Sequence, residues 1–211
     1  MESTLRDGAD EPGLTLIETL GWTGTEFPRL DLHMARLALS AERLGWPCDP
    51  QTARASLRSA APASPARLRL TLDRAGGFAV QTTALPPCKP QWTLTLATSR
   101  LQSTDPWLTL KSSHRGTYDA ARAALPMGVD EVIFQNERGE LCDGSITTLF
   151  FDRGAGLRTP PLDCGLLPGV LRAEINATEE RLLASDLPHV RLWVGNSLRG
   201  LIPARWIDPR P

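Results

Sequence analysis

The chain has 211 residues, 41% of them apolar and 22% charged, with a formal net charge of -1. That length supports one large domain or two small ones with ample core, and the near-neutral balance, with arginines scattered rather than striped, excludes an electrostatic footprint for nucleic acid or anionic membrane. No apolar run reaches the roughly 18 residues of a bilayer span, and the acidic start MESTLRDGADEP is unlike a signal peptide, so a cytoplasmic protein is expected.

LTLIETLGW (14–22) reads as a strand, followed by a turn through Gly24 and Pro28. In LDLHMARLALSAERLGW, Leu32, Ala35, Leu39 and Leu44, with Met34, Leu37 and Ala41, recur at spacings of three and four and predict a helix. Asp31 is its expected N-cap and Gly45 its C-cap. A second helix is expected near 50–60, ending in APASPA. LRLTL and FAVQTT alternate around AGG as a hairpin does. The proline-rich LPPCKPQ (85–91) cannot continue a helix and is the expected linker.

Beyond it, WTLTLAT predicts a strand, then a loop to Lys111 and a helix over about 115–125. DEVIFQN and ITTLFFD read as strands joined by the turn ERGE. After TPPLDCGLLPG a helix begins near 169 and the strand LWVGNS follows. The alternation gives an α/β or α+β class. Two lobes are expected, a small N-terminal one over 1–88 and a larger one over 89–211 that carries Lys111.

Cys48, Cys88, Cys142 and Cys164 form no CxxC pair and read as small buried hydrophobes rather than a disulfide framework or metal site. His33, His114 and His189 are too dispersed for a metal-ligand set, so no metal is expected. GxSxG, GxxxxGK[ST] and GxGxxG are absent. The chain has two lysines, Lys89 in the linker and Lys111 at the end of PWLTL. A lysine leaving an apolar strand is partly desolvated, which favours the neutral, nucleophilic amine that Schiff-base chemistry needs; the same position also suits a lysine that only ends a strand in solvent. GLLPGVLR (165–172) and VGNSLRG (194–200) offer small-residue turns whose backbone N–H groups suit a phosphate.

Taken in order, LIETL, LDLHMARLALSAERLG, KSSHRGTYDAARAA, DEVIFQNERGELCDGSITTLFF, TPPLDCGLLPGVLR and LWVGNSLRGLIPA resemble the class IV aminotransferases, the pyridoxal-phosphate (PLP) enzymes of fold type IV. That family includes branched-chain and D-amino-acid aminotransferases and aminodeoxychorismate lyase. The resemblance implies two lobes with the cofactor between them, a homodimer, and a small-molecule substrate. It implies that Lys111 is the Schiff-base lysine and proton shuttle, and that Arg36 binds the cofactor phosphate with a bidentate guanidinium. Backbone N–H groups of Val170 and Leu171, and Asn196, would also hold phosphate. Asp143 would pair with the pyridinium nitrogen; the family usually has glutamate there, and Thr148 stands where asparagine is common.

Within the family, LIETL, KSSHRGTYDAAR and LWVGNSLRGLIPA look most like aminodeoxychorismate lyase. Thr19 stands where branched-chain aminotransferases have glycine, and its hydroxyl would serve substrate binding or proton transfer. The expected reaction converts 4-amino-4-deoxychorismate to pyruvate and p-aminobenzoate, a folate precursor. Arg69 and Arg115 are candidates for its carboxylates. The alternatives are an aminotransferase acting on branched-chain or D-amino acids and a non-catalytic relative.

Overall fold

Contacts in the computed structural model, which describes Leu5 and residues 8–208, divide the chain into two units. The first runs up to Pro87 and also takes Leu110–His114; the second comprises Cys88–Thr109 and the chain from Arg115 onward. The expected lobe ends, residues 1 and 211, lie outside the described residues.

In the first unit, β1 (Leu16–Trp22), β2 (Ala66–Leu72) and β3 (Phe78–Thr83) form an antiparallel sheet in that order. Side chains alternate across a strand, and β2 shows this strictly: Leu68, Leu70 and Leu72 are fully buried, while Arg67, Arg69 and Thr71 are half-buried. The buried face packs under α1 (Leu30–Leu44) and α2 (Pro50–Ser59). Each such leucine is worth about 1.5–3 kcal/mol of transfer free energy. The β2–β3 turn is organised by Asp73, whose Oδ1 accepts from the N–H groups of Ala75 (2.9 Å) and Gly77 (2.8 Å).

Helix α1 ends as expected. Gly45 takes a left-handed φ of 69° and its N–H reaches back to Ala41 and Glu42 carbonyls. Its start differs: the N-cap is Arg29, at φ 61°, and Asp31 sits in the first turn. Asp31 instead pairs with Arg54 at 2.7 Å, an interhelical partner that outcompetes the local cap. Helix α2 is capped by Asp49, which accepts from Gln51 and Thr52 N–H groups.

The second unit is an eight-stranded mixed sheet in the order β6-β5-β4-β11-β10-β7-β8-β9. Its strands are β4 (Trp92–Leu101), β5 (Glu131–Asn136), β6 (Leu141–Gly144), β7 (Thr148–Asp152), β8 (Arg158–Thr159), β9 (Thr178–Glu179), β10 (Arg191–Asn196) and β11 (Gly200–Trp206). Helices α3 (Gly116–Ala123) and α4 (Val170–Ile175) belong to it. Ile133 packs in one cluster with Leu94, Leu149, Phe151, Val194 and Ile202, whereas its neighbours Val132 and Phe134 pack in another with Leu101, Cys142, Cys164 and Leu166. A sheet covered on both faces explains why EVIFQN reads as a continuous apolar run.

Three expectations change. The turn ERGE joins β5 to β6, its antiparallel partner, and β7 starts only after a further loop and pairs with β10. Cys88 is exposed and Cys48 half-buried, so the buried-hydrophobe reading holds only for Cys142 and Cys164, whose thiol pKa values burial pushes up. Lys111 travels with the first unit rather than the second, because β1 is an edge strand and Leu110–His114 covers that edge. Among the described residues no helix is long and apolar enough to cross a membrane.

Candidate active site

The segment carrying Lys111 is fixed by its backbone. Leu16 and Ser112 form an antiparallel bridge. The Ile17 N–H donates to the Lys111 carbonyl at 2.7 Å, and the Ser113 N–H donates to the Thr15 carbonyl at 2.8 Å. The Ser113 hydroxyl accepts from the Thr15 N–H at 2.9 Å. This register sets Lys111 opposite Ile17, on the face of β1 that also bears Thr19. Thr19 is opposite Arg69 on β2, and Gly21 is opposite Arg67. Lys111, Thr19 and Arg69 therefore share the sheet face turned away from the helices.

The other face of β1 bears Glu18, which is 1% exposed. The Arg36 guanidinium donates from Nε to Glu18 Oε1 (2.9 Å) and from Nη2 to Oε2 (2.6 Å), and His33 Nδ1 lies 2.6 Å from Oε2. Burial by itself would raise the Glu18 carboxyl. The Arg36 charge and the hydrogen bonds from His33 and Arg36 outweigh it and hold the pKa at about 2, below the usual 4.5. The two bonds to one buried carboxylate hold the Arg36 guanidinium in one orientation. Glu18 and His33 were not singled out from the sequence. The signals were present: an acid inside the apolar LIETL, and a histidine three residues before Arg36, on one helix face.

In the second unit Asp143 lies one residue before the end of β6 and is 5% exposed. Its Oδ2 accepts from the Leu167 N–H at 3.0 Å, tying it to the loop that leads into α4. Val170 and Leu171 open that helix after Gly169, where first-turn N–H groups have no intrahelical acceptor. The Asn196 side chain acts as a turn organiser. Its Oδ1 accepts from the N–H groups of Leu198 (3.1 Å) and Arg199 (3.0 Å), and its Nδ2 donates to the Ile146 carbonyl (3.1 Å). The backbone of this turn is thus held in place by Asn196.

These pieces converge on two glycines. A Cβ at Gly195 would lie 2.5 Å from the Gly200 carbonyl oxygen and 2.6 Å from Leu171 Cδ2, and one at Gly169 would lie 2.7 Å from Thr148 Oγ1. Thr148 is in turn the register partner of Gly195. The start of α4, the end of β10 and the start of β7 therefore meet at separations that glycine alone permits. Beneath them Glu131, fully buried, gathers the loop after Asp143. Its Oε1 accepts from the Ser145 N–H (3.1 Å) and hydroxyl (2.5 Å), and its Oε2 from the Ile146 N–H (3.1 Å) and Thr147 hydroxyl (3.0 Å). Glu131 also escaped sequence reading, since the loop residues it gathers lie 14–16 residues away.

The first unit thus carries Thr19 and Lys111 on one face of β1 and Arg36 against the other, and the second groups Asp143, Val170, Leu171 and Asn196. Residues 15–207 match the family model for amino-transferase class IV. The chain belongs to the class IV aminotransferase family. A protein from Mesorhizobium loti, named as a candidate amino-acid aminotransferase, shares 45% identity over 92% of this chain and 100% of its own, with a TM-score of 0.88. At the level of fold alone, the 4-amino-4-deoxychorismate lyase of Pseudomonas aeruginosa is similar, at 22% identity, coverage of 92% and 83%, and a TM-score of 0.79. A Thermotoga maritima protein named as a candidate branched-chain amino acid aminotransferase is likewise similar, at 19% identity, coverage of 99% and 81%, and a TM-score of 0.78. No curated protein matches the chain in sequence. Class IV aminotransferases are PLP-dependent, and the chain has their mixed α/β fold.

Proposed function

We propose that this class IV family member is a PLP-dependent lyase that converts 4-amino-4-deoxychorismate to p-aminobenzoate and pyruvate. The observation that carries the reading is the shared face of Lys111, Thr19 and Arg69, which sets an amine, a hydroxyl and a guanidinium on one side of the sheet. The residues present suit PLP: a lysine amine, an arginine oriented by a buried carboxylate, a helix start packed through Gly169 and Gly195, and a buried aspartate.

When bound, PLP supplies an electron sink for the carbanion formed beside the substrate nitrogen. Lys111 would hold the cofactor covalently through its amine. The same amine would remove the proton from the ring carbon bearing the substrate nitrogen and would deliver a proton to the departing enolate of pyruvate. Arg36, with the N–H groups of Val170 and Leu171, would take the phosphate. Asp143, its orientation set by the Leu167 N–H, would face the ring nitrogen. Thr19 would orient the substrate, and Arg69 or Arg115 would take a substrate carboxylate; Arg115 also donates to Asp119 (2.7 Å) and to the Ser145 carbonyl (3.0 Å).

The test is to add PLP and record the visible absorption band, then supply aminodeoxychorismate and assay pyruvate and p-aminobenzoate. A band absent in Lys111→Ala, with both products formed by the parent protein, is expected. No band in excess PLP would overturn the reading. A second reading, an amino-acid aminotransferase, is favoured by the name of the Mesorhizobium loti relative at 45% identity; a Lys111-dependent band with 2-oxo acid formed from branched-chain or D-amino acids, and no pyruvate release, would select it. Under either reading a homodimer in the cytoplasm is proposed, and sedimentation velocity tests the dimer.

A further inference from the structure

We infer that Glu131 is a positioning residue: its fully buried carboxylate folds the loop after Asp143 around itself and so sets where the Asp143 side chain stands. The inference deepens the proposed function, and what Asp143 does for the cofactor ring nitrogen rests on that reading. Between Asp143 and the first residue of β7 the chain has only Gly144, Ser145, Ile146 and Thr147.

Besides the Ser145, Ile146 and Thr147 donors, Glu131 Oε1 accepts from the Val132 N–H (3.1 Å), and Arg122 Nη1 stands 3.6 Å from it. Every group around the carboxyl is a donor. An acceptor-only carboxylate satisfies both sets, whereas an amide would turn its own N–H groups against one of them. The packing leaves no slack either. A Cβ at Gly144 would lie 2.8 Å from Glu131 Cδ and 2.5 Å from Thr147 Oγ1, so the peptide leaving Asp143 rests directly on the carboxyl group. The Gly144 N–H closes the turn on the Thr147 carbonyl at 2.8 Å. From the outside, Arg115 Nη2 donates to the Ser145 carbonyl (3.0 Å) and Asn196 Nδ2 to the Ile146 carbonyl (3.1 Å). Asp143 therefore enters a segment gripped from within and without. Its Oδ2 accepts from the Leu167 N–H at 3.0 Å, so that amide reports where the Asp143 carboxylate stands.

The experiment measures hydrogen exchange at the Leu167 amide relative to the Val194 amide, in the core of the same unit, with and without PLP. Glu131→Gln should lower that relative protection by about tenfold. Ser145→Ala, which removes one donor and leaves the carboxylate, should lower it less. Asp152→Ala, which removes the carboxylate organising the turn at the far end of β7, should leave the ratio unchanged. In the PLP-loaded protein, Glu131→Gln should shift the pH midpoint of the absorption band in the same direction as Asp143→Asn. If Glu131 acts through Asp143, the double variant shifts it no further than Asp143→Asn alone. An unchanged Leu167 ratio in Glu131→Gln and Ser145→Ala, an equal loss in Asp152→Ala, or additive band shifts in the double variant overturns the inference. The two proposals fail separately: no PLP band in the parent protein sinks the proposed function, while the Leu167 ratio still decides whether Glu131 positions Asp143.

Discussion

Glu18 is an acid that the fold keeps ionised in a place where water cannot reach it. Its folded pKa of about 2 lies below the 4.5 of the free side chain, so the folded state favours the charged form. The resulting stabilisation is complete above the unfolded value and disappears as pH falls from about 4.5 toward 2. At about 1.4 kcal/mol per pH unit it amounts to about 3 kcal/mol. Urea unfolding at pH 6 and pH 3 should therefore show a drop in the parent protein that is smaller in Glu18→Gln; equal drops would remove Glu18 from the acid response. Glu18→Ala, which strips Arg36 and His33 of their buried partner, should cost about 3–5 kcal/mol at neutral pH. Under the proposed function it should also weaken PLP binding, because Arg36 loses the clamp that orients it. Equilibrium titration of PLP by absorbance measures that loss.

Helices and hairpins written in local residues were legible in the sequence. The three-and-four spacing from Leu32 to Leu44 with Gly45 behind it gave α1, and the small residues after Asp73 gave the β2–β3 turn. Features that depend on distant partners were not. Asp31 looks like a cap until Arg54 claims it, and ITTLFFD reads as strand from Ile146 until Glu131 draws Ser145, Ile146 and Thr147 into a loop. That the Asn196 side chain organises the turn after it and ties that turn to Ile146 is not written in VGNSLRG either. At this scale Glu131→Gln should destabilise the second unit by about 2–3 kcal/mol, since an amide cannot accept at both ends from the donors that a carboxylate satisfies. Loss of protection at the Ser145 and Ile146 amides in hydrogen exchange would accompany it. Gly195→Ala forces a Cβ against backbone at Gly200 and should cost about 1–3 kcal/mol, read as a lower urea midpoint with an unchanged slope.

Across the whole molecule, the proline-rich stretch near residue 88 was visible because prolines act locally, but the return of the chain to the first unit was not, because it is a pairing between residues almost a hundred positions apart. That pairing predicts a measurable coupling. The Ile17 and Ser113 amides, each donating across the same junction, should exchange with solvent at matched, slow rates; a fast Ser113 beside a slow Ile17 would show that the segment is not integral to the unit.

The same junction orders events during synthesis. A growing chain that has reached Pro87 holds the β1–β3 sheet with α1 and α2 but still has a bare β1 edge, and the missing piece, Leu110–His114, is made later. Completion of the first unit and arrival of the lysine amine are thus one event. A nascent or truncated chain that stops short of residue 114 carries an uncovered strand edge open to pairing with other chains and no fixed Lys111.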